Sequence, residues 1–164
     1  MCALGTLTEG PLTYAALASE IRRFISYIMG PSLEVLGSSI ELLKYEGLVS
    51  LKEGNDNHEI LVITDKGRAE FHSLLVAGIR PSDSDLNKLI TALKLRFLSQ
   101  LSIEEQREQI TILEFTFEEQ LARLIALRGQ YSIDNNFFSI WLDREINELE
   151  GRIKWITQYF DKLN

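Results

Sequence analysis

Apolar residues recur at helical spacing through most of this chain, and a clear series lies near its start. Leu17, Ile21, Phe24, Ile25 and Ile28 lay one apolar stripe along a helix that Thr13 can cap and that stops near Gly30-Pro31. A short apolar helix from Cys2 to Leu7 precedes it and ends at Glu9-Gly10-Pro11. A third helix starts at Ser32 and runs to about Glu46, with Leu33, Leu36, Ile40 and Leu43 on one face. Gly47 follows as its C′ residue, where glycine adopts a left-handed conformation at little cost. The period then shortens. Leu48–Lys52 and His58–Ile63 are β-prone runs separated by Gly54-Asn55-Asp56-Asn57, which is hairpin turn chemistry. Thr64 caps a further helix with Ala69, Phe71, Leu74 and Leu75 as its apolar positions.

From residue 85 the pattern is helical throughout. Leu86, Leu89, Ile90, Leu93, Phe97 and Leu98 mark one amphipathic helix. Ser102 and Glu105 form a capping-box pattern ahead of the next, which carries Ile110, Leu113, Phe117, Leu121, Leu124 and Ile125 and is expected to end at Gly129. Asp134 or Asn135 can cap the last helix. Its stripe of Leu142, Ile146, Leu149, Ile153, Ile156, Phe160 and Leu163 alternates steps of four and three, a heptad seam that favours shallow packing against another helix. Trp141, Trp155 and Tyr159 widen that apolar face. Two helices alone cannot bury so wide a face, so a second copy of the chain is expected to cover it, with Leu142, Ile146, Leu149, Ile153, Ile156 and Phe160 at the dimer seam.

The order helix, helix, helix, hairpin, helix is that of a winged helix-turn-helix. Three helices bury one small core and the hairpin covers its open edge. The predicted class is mainly α, with a small α+β winged domain at 1–80 and a helical dimerisation domain at 81–164. The segment Arg80-Pro81-Ser82-Asp83-Ser84-Asp85 marks the boundary, because proline disfavours helix before it and the Ser/Asp cluster supplies a new cap. In helix-turn-helix proteins the second helix of the motif is offered to the DNA major groove, here about Ser32–Glu46.

Charge and composition narrow the chemistry. The chain has 164 residues and a net charge of −7, which argues against non-specific coating of nucleic acid. The acidity is shared, with seven basic and ten acidic side chains up to residue 80 and ten and fourteen after it. One cysteine, Cys2, excludes an internal disulfide framework and a four-cysteine zinc site. The two histidines, His58 and His72, have no metal-ligand spacing, and no phosphate loop or nucleophile motif occurs. Neither an enzyme nor a bound cofactor is expected. With no signal peptide or membrane span in the pattern, a cytoplasmic protein without membrane contacts is expected.

Three segments carry a family resemblance: Leu4-Gly5-Thr6-Leu7 with Glu9-Gly10-Pro11-Leu12, then Ile40–Val49 with its Glu46-Gly47-Leu48-Val49 end, then Ile63-Thr64-Asp65-Lys66-Gly67-Arg68. Together and in that order they resemble the PadR family of transcriptional regulators, in motif over residues 4–68 and in architecture over the whole chain. The resemblance implies a homodimeric regulator, in the first instance a repressor, on an inverted-repeat operator in double-stranded DNA. It also allows a small aromatic effector, for which Trp141, Trp155, Phe137 and Phe138 are candidate stacking residues. The chain departs from the family at Tyr14 and Ala15, and at Gly37, Glu41 and Leu42, where the reading helix usually offers a tyrosine and then basic side chains.

Duplex affinity comes largely from Lys and Arg neutralising phosphates. The cations at hand are Arg22, Arg23, Lys44, Lys52, Lys66 and Arg68, with the hydroxyls of Ser32, Ser38 and Ser39 close to the duplex. Residues 32–47 nevertheless hold Glu34, Glu41 and Glu46 against one lysine, Lys44. That acidic reading helix favours an alternative, a dimeric winged-helix module that meets proteins and has lost DNA binding.

Overall fold

The computed structural model describes residues 1–29, 36–54, 58–79, 85–131 and 137–161. These form two compact units, one of Met1–Ala77 with Lys88–Gln100 and one of Gly78–Asn87 with Leu101–Asn164.

The first unit opens with α1 (Cys2–Glu9) and α2 (Tyr14–Met29). Thr13 caps α2, its Oγ1 accepting from the Ala16 N–H at 3.2 Å. Leu4, Leu7, Leu17 and Ile21 are buried, while Ile28, expected on the apolar face, is exposed. Helix α3 (Leu36–Tyr45) buries Ile40; the expected start at Ser32 lies outside the described residues. Gly47 ends it at φ +70, and the Gly47 and Leu48 amides donate to the Lys44 and Leu43 carbonyls at 3.0 and 2.9 Å. This paired closure is the Schellman form of helix end. Strands β1 (Val49–Glu53) and β2 (Glu59–Ile63) pair antiparallel, from Val49 opposite Ile63 to Glu53 opposite Glu59.

Leu12 adds a bridge that the apolar pattern does not show. Its N–H donates to the Leu61 carbonyl at 3.2 Å and its carbonyl accepts from the Leu61 N–H at 2.7 Å. The hairpin is thereby tied to the segment between α1 and α2.

Helix α4 (Asp65–Val76) begins under Thr64, whose Oγ1 accepts from the Gly67 N–H at 3.0 Å. Helix α5 (Asp85–Phe97) follows, then a 3-10 turn at Leu98–Gln100. The first unit takes in all but the start of α5. Phe97 is fully buried and meets Phe71 of α4 edge to face, with centroids 5.4 Å apart. Gly5 of α1 makes room for both rings, since a Cβ there would stand 2.5 Å from Phe97 and 2.8 Å from Phe71.

The second unit is a helical hairpin of α6 (Ile103–Gln130) and α7 (Phe137–Asp161). The capping box forms as expected, with Glu105 N–H donating to Ser102 Oγ at 3.2 Å and Ser102 N–H to Glu105 Oε2 at 3.0 Å. Helix α6 passes through Gly129 rather than ending there, and Tyr131 closes it by donating to the Arg128 carbonyl. The expected caps Asp134 and Asn135 lie outside the described residues. Arg128 meets Asp143 at 2.7 Å and Thr157 meets Glu114 at 2.6 Å, so the two helices run antiparallel. Their core holds Ile110, Leu113 and Phe117 of α6 with Leu142, Leu149 and Ile156 of α7.

Candidate nucleic-acid interface

All six candidate cations stand on the winged unit, spread over four of its elements. Arg22 and Arg23 are exposed on α2; the Arg22 Nε donates to the Ala18 carbonyl at 3.2 Å, and Arg23 makes a two-oxygen pair with Glu20 at 2.8 Å. Lys44, in the last turn of α3, pairs with Glu41 at 3.1 Å. Lys66, in the first turn of α4, donates to the Glu46 carbonyl at 2.7 Å, which places it beside the C-terminal end of α3. Lys52 on β1 and Arg68 on α4 are exposed and make no ion pair among the described residues. Exposed pairs such as Arg23–Glu20 contribute about 0–1 kcal/mol, so a phosphate can displace the carboxylate at small cost.

Ser38 and Ser39 fall within α3, but their side chains, like all of Ser32, lie outside the described residues. The part of α3 that is described turns Ile40 inward and leaves Glu41, Leu42 and Tyr45 exposed, as is Glu46 just beyond its end. Tyr45 is 86% exposed and Leu42 58%. Neither figured among the candidates. The signal was available, because helical spacing that turns Ile40 and Leu43 inward turns Leu42 and Tyr45 outward.

The loop between the motifs is a single joint. The Leu48 carbonyl accepts from the Thr64 N–H at 3.1 Å and from the Thr64 hydroxyl at 3.1 Å, and the same hydroxyl also reaches the Gly47 carbonyl at 2.8 Å. Gly67 lies so close that a Cβ would fall 2.1 Å from the Leu48 oxygen. The segments Gly47-Leu48-Val49 and Thr64–Arg68 thus hold the end of α3, the root of the hairpin and the start of α4 together.

Elsewhere several acidic groups serve a helix end, a helix face or the contact between α6 and α7. Glu105 closes the capping box, Glu114 accepts from Thr157, and Glu119 pairs with Arg123 at 3.7 Å. Arg128 holds the Asp143 carboxyl below its usual range by hydrogen bonding. Burial pushes the Cys2 thiol up, away from the reactive thiolate. No group of three His, Cys, Asp or Glu suited to a metal ion occurs among the described residues. No helix among them is long and apolar enough to cross a membrane.

At the expected dimer seam, Leu142, Leu149 and Ile156 are buried within the chain itself, and Ile146, Ile153 and Phe160 are half-buried. The aromatic candidates are exposed. Phe138 stacks on Trp141 at 5.7 Å and meets Tyr131 edge to face at 5.0 Å, and Trp155 stacks on Tyr159 at 6.3 Å.

A winged helix-turn-helix unit is followed along the chain by a long helical hairpin, and a family model gives the class of protein. The model of the family described as "Putative AphA-like transcriptional regulator" matches residues 1–160, and the chain belongs to that family. Among solved structures it is similar to Bacillus subtilis PadR in complex with operator DNA, at 18% identity over 99% of this chain and 96% of that one, with a TM-score of 0.41. It is similar to the same regulator in complex with p-coumaric acid, at 19% identity over 98% and 95%, TM-score 0.42. A PadR-like transcriptional regulator from Bacillus cereus is 17% identical over 98% and 92%, TM-score 0.43. No curated protein matches the sequence.

Proposed function

We propose that the protein is a cytoplasmic, homodimeric repressor of the PadR-like type that binds operator DNA through its winged unit. Membership of a transcriptional-regulator family over residues 1–160 is the observation that carries this reading. Helix α3 enters the major groove, with Ser32, Ser38 and Ser39 near the duplex, while Arg22, Arg23, Lys44, Lys52, Lys66 and Arg68 neutralise phosphates. Two copies, joined through the C-terminal helices of the 81–164 domain, bring about a dozen cations, comparable with the six to ten phosphate contacts of tight binders. The exposed rings of Phe137, Phe138, Trp141 and Trp155 are where a small aromatic effector would stack.

A second reading is a dimeric winged-helix module that binds a protein, and the exposed Glu41, Leu42 and Tyr45 on α3, with Glu46 just after it, favour it. A mobility-shift experiment with genomic fragments at low and moderate salt separates the two. Retardation of particular fragments that persists at moderate salt supports the repressor, and no retardation even at low salt overturns it in favour of the module.

A further inference from the structure

Helix α3 has one face that its own unit does not use. On a helix of 3.6 residues per turn, Glu41, Leu42 and Tyr45 fall within an arc of about 100°, centred opposite the direction of Ile40 and Leu43. Ile40 is buried and Leu43 half-buried, whereas Leu42 and Tyr45 stand exposed side by side. The charge next to them is balanced, because Glu41 pairs with Lys44 at 3.1 Å.

The residue types matter as much as their placement. In the major groove, arginine or lysine is the usual partner of guanine, and asparagine or glutamine of adenine. Residues 32–46 contain no arginine, asparagine or glutamine, and their one lysine is Lys44. The other candidate cations stand on α2, β1 and α4. Charge that can meet phosphate is thus concentrated on the flanking elements, and the outward face of α3 is left with an isobutyl group, a phenol and a carboxylate. The apolar feature that base edges offer in that groove is the 5-methyl group of thymine. The 10 residues of α3 span about 15 Å and the groove is about 12 Å wide, so a helix this short can lie in it with both side chains close to base edges.

We propose that Leu42 and Tyr45 are specificity-determining residues that read thymine methyl groups, so that the operator is recognised by apolar contact rather than by hydrogen bonds to guanine. The inference rests on the DNA-binding reading above and names what its reading helix selects. Each methyl taken out of water against these side chains contributes about fourfold in affinity. Apolar contacts are not screened by ions, so this factor stays the same at low and moderate salt while the overall affinity falls.

The probes are duplexes that the full chain selects from a random-sequence pool, and the same duplexes with deoxyuridine in place of every thymidine. Uracil keeps the pairing and removes only the methyl. The parent should bind the uracil form about fourfold or more weakly, with the same ratio at both salt concentrations. A Leu42→Ala, Tyr45→Ala double variant, changed only at exposed positions, should keep the parent's urea midpoint, bind the thymine form more weakly and show a ratio near one. A ratio that persists in the double variant comes from altered stacking or groove shape and overturns the assignment. Equal binding of both forms by the parent overturns the inference and leaves DNA binding standing, as do selected sites whose common core holds no A·T pair. If no duplex is retained even at low salt, this inference and the repressor fall together, in favour of the protein-binding module.

Discussion

Gly67 shows how one missing side chain sets a local arrangement. Its Cα faces the Leu48 carbonyl, where a Cβ would fall 2.1 Å from a backbone oxygen already engaged by Thr64. Alanine would improve helix propensity by up to about 1 kcal/mol, but the oxygen cannot retreat without breaking the joint. Gly67→Ala is therefore expected to destabilise by about 1–3 kcal/mol, read as a lower urea midpoint. Lys94 is a second such residue. Its side chain is buried and its amine donates to the Leu75 carbonyl, near the C-terminal end of α4, where a cation is favoured. Burial wins over that attraction and lowers the amine to about 8. The unfolded chain, with an ordinary lysine at 10.5, then holds the proton that the folded chain has lost between pH 8 and 10.5. In that window the unfolded state binds more protons, so this group makes stability rise with pH; below 8 both states are protonated and its contribution is flat. Urea midpoints at pH 7.5, 8.5 and 9.5 should rise for the parent relative to Lys94→Met.

At the scale of elements, most of the fold was legible because it is written in local chemistry. Thr13, Thr64 and the Ser102–Glu105 box cap the helices they were expected to cap, and Gly47 takes the left-handed conformation its place demanded. Thr64 does more than cap α4, since its hydroxyl also bonds to the Gly47 and Leu48 carbonyls. Thr64→Val keeps the shape and removes the hydroxyl, and is expected to cost about 1–2 kcal/mol in thermal or urea unfolding. Two features were not legible. Gly129 reads as a stop, but a glycine with right-handed dihedrals can sit in a helix, and α6 continues past it to Gln130. The Leu12–Leu61 bridge joins residues far apart in sequence, so no local signal announces it.

At the scale of the whole molecule, charge and surface decide what the fold can do. Under the proposed function, replacing both Arg22 and Arg23 with alanine weakens binding to every duplex. It also flattens the salt dependence by about one unit of slope for each phosphate no longer neutralised, measured by titrating a labelled fragment at several salt concentrations. A melting temperature that rises with protein concentration is expected if the proposed dimer forms. Leu149→Asp is not a probe of association, because Leu149 is buried in the chain's own hairpin and the change would unfold it.

The sequence by itself determined the elements, their order and the winged class, because helical and strand periods, caps and turn residues act over a few neighbours. It also determined that α7 would have more apolar surface than one partner helix can cover. Which part of that surface is consumed internally was decided only by the tertiary structure. Heptad spacing states that a stripe will be buried but not by what, and here α6 of the same chain runs antiparallel to α7 and takes Leu142, Leu149 and Ile156 into its core. The aromatic side of α7 was left outside by that choice. The same holds for the cations: their number is a property of the sequence, whereas the pairing of Lys44 with Glu41 and the reach of Lys66 to the end of α3 arise only when separate elements meet or a helix closes its turns.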